Sequence, residues 1–370
     1  MADAQIILAY SRDAGIVAIA GGEKYPWAHT ALEETGFQRG EAGIYRLPAD
    51  DPDASRATVA DLIRCAERHR TSVATSSRRF IGDAARDIAR LLPGAWVPAV
   101  EIYSHPVWQE DLVPWLWDSG ELGRAVQTVR IPYAATLTHT TSGTTLLLVE
   151  RPGHQLGYLV GAFAPESFEE GNGDPHAPRS IVLPPSPAPA AQAITDRYLP
   201  AYDRAVHARR METVATVLDR IRIEHDAWAA MVASGRYSDA TPLDIDGLGV
   251  ATAEFLDHAW RGFLTVLDHA PALFDRCRPA DTPWPEDAEA LDRLADAIIG
   301  AEGVREELIA GAPLTRQERN TRMWPAIETW LTNSGAFLRQ SHSSAPHQRP
   351  ALAVSAPPRA LAPARPTPRR

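Results

Sequence analysis

WAHTALEETGFQRGEAGIYRLP, residues 27–48, places an amphipathic helix, its stop signal and the next strand within 22 residues. Trp27, Ala31, Leu32 and Thr35 have helical spacing, Gly36 stands where a left-handed residue closes a helix, and Phe37 is placed to fold back on the last turn. RGEAG (39–43) supplies turn residues, after which Ile44, Tyr45 and Leu47 begin a strand that Pro48 ends. A helix and a strand this close together, among further short apolar runs, call for a sheet covered by helices.

The flanking sequence continues the pattern. QIILAYS (5–11) and GIVAIAG (15–21) read as strands, a helix is expected from Pro26 to Thr35, and another from Ser55 to His69 with Val59, Leu62, Ile63 and Ala66 on one stripe. TSVATS (71–76) is strand-like, and a helix through DAARDIARLL (83–92) aligns Ile81, Ala85, Ile88 and Leu92. Residues 1–95 therefore form a small α/β module. Residues 96–205 begin with a tryptophan-rich segment read as helical. A β-meander follows, in which Val129, Ile131, Tyr133, Ala135 and Leu137 alternate with polar or small residues before TTLLLVE and LGYLVGAF; EEGNGDPHAPRS and LPPSPAPAAQ read as loops. From 206 to 340 the periodicity is helical, with a start at Thr241, Pro242 and Asp244 and a capping box of Thr315 with Glu318, so at least four helices are expected. Residues 341–370 hold seven prolines, five arginines and no acid, the composition of a disordered basic tail. The expected class is α+β: an N-terminal α/β module, a central antiparallel meander with helices, a helical C-terminal unit and the tail.

Composition narrows the function. With 45% apolar and 23% charged residues and a net charge of -10, the 370-residue chain suits two or three compact units and is neither a basic nucleic-acid binder nor a polybasic membrane protein by total charge. Cys65 and Cys277 alone exclude a disulfide framework and a four-cysteine zinc site, and fit a reducing cytoplasm. No window holds the roughly 18–20 apolar residues of a membrane span. Lys24 is the only lysine against 36 arginines, a bias that GC-rich codons produce.

The order of strand, acidic or glycine loop, helix ending in Gly36-Phe37 and short Tyr45-Arg46-Leu47-Pro48 strand resembles a unit of uncharacterised proteins of actinobacterial plasmids and other mobile elements. The resemblance covers residues 5–92, a quarter of the chain, and implies no catalytic residue.

Motifs that carry chemistry are sparse. AGGEKYP puts two glycines and Lys24 between a strand and a helix but lacks the phosphate-loop pattern. Arg64, Arg68, Arg70, Arg78, Arg79, Arg86 and Arg90 are the best nucleic-acid candidates, with Ser76 to Arg79 read as a helix start able to meet phosphates. Asp257-His258 and Asp268-His269, eleven residues apart, share a helix face, but a rise of about 1.5 Å per residue separates them by roughly 16 Å, too far for one ion. Glu254 and His258 have chelating i, i+4 spacing without identifiable further ligands. EHD (224–226) and DDPD (50–53) are isolated, and Ser142 lacks a nucleophile-elbow context. No metal site or cofactor is expected. Trp96, Trp108, Trp115 and Trp117 concentrate aromatic area, so Trp108, Trp115 and Trp117 are candidates for a partner groove as well as for core.

These features favour a non-enzymatic accessory or adaptor protein that binds protein or nucleic acid. The alternatives are a hydrolase using carboxylates and histidine near the meander or on the helix around 254–269, or an assembly module built on the tryptophans. Oligomeric state stays open.

Overall fold

The computed structural model describes residues 3–48, 50–168, 171–277 and 284–346. The α+β expectation holds; of the basic tail expected from residue 341, residues 341–343 instead finish the last described helix, with Ser341 buried, and those from 347 lie outside the described residues.

The first sheet begins with the hairpin of β1 (Ala4–Ser11) and β2 (Gly15–Gly21). Helix α1 (Tyr25–Glu34) follows and ends as the sequence requires: Gly36 takes φ +84, its amide reaches Glu33 O, and the Phe37 amide donates to Leu32 O at 3.2 Å. Phe37 is thereby folded into the core. Strands β3 (Gln38–Arg39) and β4 (Tyr45–Leu47), helix α2 (Pro52–Arg68) and β5 (Thr71–Arg79) complete the order β3-β4-β2-β1-β5, in which only the β1–β5 pair is parallel. Residues Ser76 to Arg79, read as a helix start, are instead the end of β5, paired through Arg79 with Tyr10; helix α3 (Ile81–Ala89) begins only after Phe80. On α2, Leu62, Cys65 and Ala66 are buried, whereas Ile63 turns outward.

Tryptophan 96 opens a strand, β6 (Trp96–Ile102), rather than a helix. Its Cα partners on the next long strand run from His139 to Tyr133. Helix α4 (Pro106–Glu110), β7 (Leu116–Trp117) and α5 (Glu121–Thr128) then lead to β8 (Tyr133–His139), β9 (Thr145–Glu150), β10 (Tyr158–Phe163) and β11 (Ile181–Leu183). The meander is thus part of a six-stranded sheet, ordered β11-β10-β9-β8-β6 with β7 beside β10. Val129 and Ile131 precede β8. LPPSPAPAAQ, read as a loop, contains the end of β11 and helix α6 (Pro187–Ala193), because proline is tolerated in a first helical turn, where its missing N–H has no partner to lose.

Alternation along the second sheet sends Ala134, Leu147, Val149 and Leu159 against α5 and the Leu112 and Leu116 side chains, and Ala135, Leu137, Leu146, Leu148 and Val160 to the other face. That second face shares one core with α3, α6 and the Val17 and Ile19 face of the first sheet, so the packing runs across residue 95. The opposite face of the first sheet packs under α1 and α2.

A π-helical turn at Ile194–Tyr198 joins α6 to α7 (Leu199–Ser234), 36 residues and about 54 Å long. Tyr202 near its start belongs to the sheet core, while Val214, Val217, Leu218 and Ile221 enter a separate core with α8 (Ile245–Phe274), α9 (Ala288–Ile309) and α10 (Arg316–Ser343). The division expected between 205 and 206 therefore falls inside one helix. Asp244 caps α8, and Thr315 with Glu318 forms the expected capping box. No described helix is long and apolar enough to cross a membrane.

Candidate functional site

The arginines of the first module are turned toward their own chain. Arg78, with 15% of its side chain exposed, donates to the carbonyls of Gly157 (3.2 Å), Arg151 (3.0 Å) and His154, with Glu150 3.5 Å away. Arg79 meets Asp87 at 2.6 Å, Arg86 meets Asp13 and the fully buried Asp83, and Arg90 is 3.6 Å from Asp87. Lys24 pairs with Asp3 at 3.2 Å and lies over the Trp27 ring at 4.5 Å. These five candidates thus carry an internal counter-charge, as do the exposed Arg64 with Asp61 and Arg68 with Glu34, whereas Arg70 is exposed and has no ion pair among the described residues.

The tryptophans do not make one surface. Trp117 is fully buried, edge-on to Phe168 and Tyr202, with its indole donating to Asp174 at 3.0 Å. Trp108 and Trp115 are 43% and 57% exposed, and Trp108 packs on Tyr25 at 5.2 Å, so only these two remain available to a partner.

A larger concavity lies in the helical unit. Gly262 of α8 lets α7 approach closely: a Cβ there would stand 3.3 Å from Ile221 and 3.4 Å from Val217. Beside this contact lies a cleft of about 710 Å³, lined by Arg209, Arg220 and Glu224 of α7 and by His258, Arg261 and His269 of α8. The loop after β10, at Ser167 and Phe168, closes one end. The eleven-residue spacing does bring His258 and His269 to one face, and both line this cleft.

Charge within the cleft is unevenly balanced. Asp268 is taken by Arg305 at 2.7 Å and Arg209 by Asp174 at 3.2 Å, which leaves Arg220 and Arg261, against the single acid Glu224, with no ion pair or hydrogen bond among the described residues. His269 is 5% exposed, and its Nδ1 has no partner; burial and the nearby Arg210 and Arg209 hold its pKa below the usual histidine range. Arg210 borders the adjoining hollow beside Tyr202 and Asp268, and its buried Nε is likewise unpartnered. An anion would supply the acceptors these donors lack.

The cleft continues into a second hollow of about 730 Å³ through Glu224 and His258, which line both. This half is apolar, with Trp228, Met231, Tyr237 and Phe255 in its wall. Trp228 and Phe255 are stacked at 5.2 Å, and the Trp228 indole is occupied by Thr252 Oγ1 at 3.1 Å. Glu254 is exposed on its rim.

The acid-histidine pairs suggested by sequence do not form catalytic dyads here. Asp257 is taken by Arg316 at 2.5 Å and by Arg319, and among the described residues His258 has no hydrogen bond to an acid. Ser142 bonds to His139 at 2.9 Å on an exposed hairpin turn, where the serine also donates to Thr144. The group with metal-ligand spacing is elsewhere: Glu34, Cys65 and His69. Sequence reading missed Arg220, Arg261 and the free Nδ1 of His269, since only the pairing of α7 with α8 brings them together. Compared with known protein families, curated proteins and solved structures, the chain matches none.

Proposed function

We propose that the chain is a non-enzymatic accessory protein that holds a small amphiphilic anion, an apolar body bearing a phosphate or carboxylate, along the groove between α7 and α8. The observation that carries this reading is the division of one continuous groove: Arg220, Arg261 and the unpartnered His269 lie at one end, and Trp228, Met231 and Phe255 at the other. Each half is within the roughly 300–1,000 Å³ of small-molecule sites. Commitment of Asp257 and Asp268 to arginines favours binding over acid-base chemistry, and the internal pairing of Arg78, Arg79, Arg86 and Arg90 leaves them less charge for nucleic acid. The resemblance of residues 5–92 to plasmid and mobile-element proteins is in keeping with an accessory role.

The test is titration of the full chain with dodecyl phosphate, inorganic phosphate, dodecanol and a DNA duplex, read by tryptophan fluorescence and calorimetry. Dodecyl phosphate is expected to bind tighter than either half alone. Arg220→Ala and Arg261→Ala should each weaken it by at least about tenfold, the lower end of what one lost charge-assisted bond of about 1.5–3 kcal/mol costs. Binding unaffected by both substitutions, or salt-sensitive DNA binding with no dodecyl phosphate binding, would overturn the reading.

A further inference from the structure

Helices α1 and α2 pack side by side on the first sheet and finish together. Glu34 is the last residue of α1, Cys65 lies in the final turn of α2, and His69 caps that helix. The Glu34 carboxylate accepts from Cys65 Sγ at 3.1 Å and lies 3.3 Å from His69 Nε2, and the three ligand atoms are all within 4.8 Å of one another.

These distances can be compared with a coordination shell. With Zn–S of about 2.3 Å and Zn–N and Zn–O of about 2.0–2.2 Å, tetrahedral angles place N and O about 3.3 Å apart and S and O about 3.5 Å apart. The O···N and O···S separations are already within about 0.4 Å of those edges. Cys65 and His69 have the i, i+4 spacing that puts two side chains on one helix face. The C-terminal ends of both helices also turn their partial negative charge toward the group.

We infer that Glu34, Cys65 and His69 form a site for a zinc-class divalent cation, with the fourth position open to water. One thiolate, one imidazole and one carboxylate suit a borderline ion better than calcium or magnesium, which take oxygen ligands. Cys65 is 1% exposed, while the Glu34 and His69 side chains are 48% and 27% exposed, so the sulfur forms the floor and solvent reaches the opposite side. The nearest competing cation is Arg68, 3.7 Å from Glu34 and 70% exposed; such a surface pair contributes little, and its side chain is free to swing away. In the metal-free chain the Cys65 thiol donates its hydrogen to the Glu34 carboxylate. Binding then replaces the S–H bond by an S–metal bond and releases the proton to solvent.

This inference is independent of the α7/α8 groove. Its test is titration of the reduced full chain with Co²⁺, followed through the thiolate-to-cobalt charge-transfer band and the intense visible bands of a tetrahedral ion, then displacement by Zn²⁺. One Co²⁺ per chain is expected. The spectrum should persist in Cys277→Ser and vanish in Cys65→Ser. Glu34→Gln, at an exposed position that leaves the core intact, should weaken Co²⁺ by at least about tenfold, the lower end of what losing even an outer-shell partner costs. One equivalent of Zn²⁺ should raise the unfolding midpoint of the parent chain and not of Glu34→Gln. Absence of a charge-transfer band in the parent, a band lost in Cys277→Ser instead of Cys65→Ser, or full affinity in Glu34→Gln would overturn the assignment.

Discussion

Replacing Arg78 by methionine separates a structural arginine from a nucleic-acid contact. The side chain is largely buried and reaches from β5 to the second sheet, where its guanidinium serves the carbonyls of Arg151, His154 and Gly157 and faces Glu150. Glu150 is itself largely enclosed: burial pushes its pKa up, while Arg78 and the Tyr133 hydroxyl, which donates to it at 3.0 Å, pull it down. Methionine fills most of the volume but leaves the Glu150 carboxylate without its counter-charge and the His154 carbonyl without its donor, while the Arg151 and Gly157 carbonyls keep backbone amides. Breaking one side of a buried pair costs about 3–5 kcal/mol. At about 2–4 °C per kcal/mol for a unit of this size, the melting midpoint should fall by on the order of 10 °C. Adding Glu150→Gln removes the stranded charge and should recover part of the loss, a coupling that a double-mutant cycle in urea measures. Arg90→Ala is the internal control: its side chain is 65% exposed with one contact at 3.6 Å, and its loss should stay within about 0.5 kcal/mol. An Arg78→Met chain within about 1 kcal/mol of the parent would refute the argument.

The tryptophans should divide in the same way: Trp117→Ala, in the core, should cost about 3–5 kcal/mol, and Trp115→Ala, half exposed, within about 0.5 kcal/mol; similar urea midpoints for the two would contradict the burial described. Acidification should also destabilise the chain. Burial holds the pKa values of His29, His207 and His269 below the usual range, against nearby Glu33, Asp203 and Asp268 that act the other way. Below about pH 6.5 the unfolded chain therefore binds more protons than the folded one, and stability falls as pH drops through that window. Glu150, whose raised pKa opposes this, is one group against three. A urea midpoint at about pH 5.5 equal to or above that at about pH 7.5 would reject the histidine account.

What could be read from sequence was set by range. The Gly36-Phe37 helix stop and the Thr315–Glu318 box are interactions over three to five residues, and both form as written. Ser76 to Arg79 look like a polar helix start until Tyr10, almost seventy residues earlier, pairs with Arg79 and extends the strand. Trp96 becomes strand for the same reason, since its partner is His139. The prolines before α6 were a local signal of a helix start read as a loop. At the two proposed sites the contrast recurs. Cys65 and His69 show chelating spacing in the sequence itself, whereas Glu34 joins them only when α1 lies against α2. Arg220 and Arg261 are 41 positions apart and share a groove only because of the α7–α8 pairing.

Helix α7 serves two cores with different sides of its cylinder. At about 100° per residue, Val214, Val217, Leu218 and Ile221 sit roughly 60–160° around the axis from Tyr202, and no glycine or interior proline interrupts the rod between them. Its length therefore acts as a phase setting. One residue inserted between His207 and Val214 would turn everything beyond it by about 100° and advance it by about 1.5 Å, breaking the register at which His207 Nε2 meets the Ser341 carbonyl of α10 at 2.8 Å. Substitutions along this stretch are absorbed locally, but a change in residue count is a twist delivered to the whole helical unit.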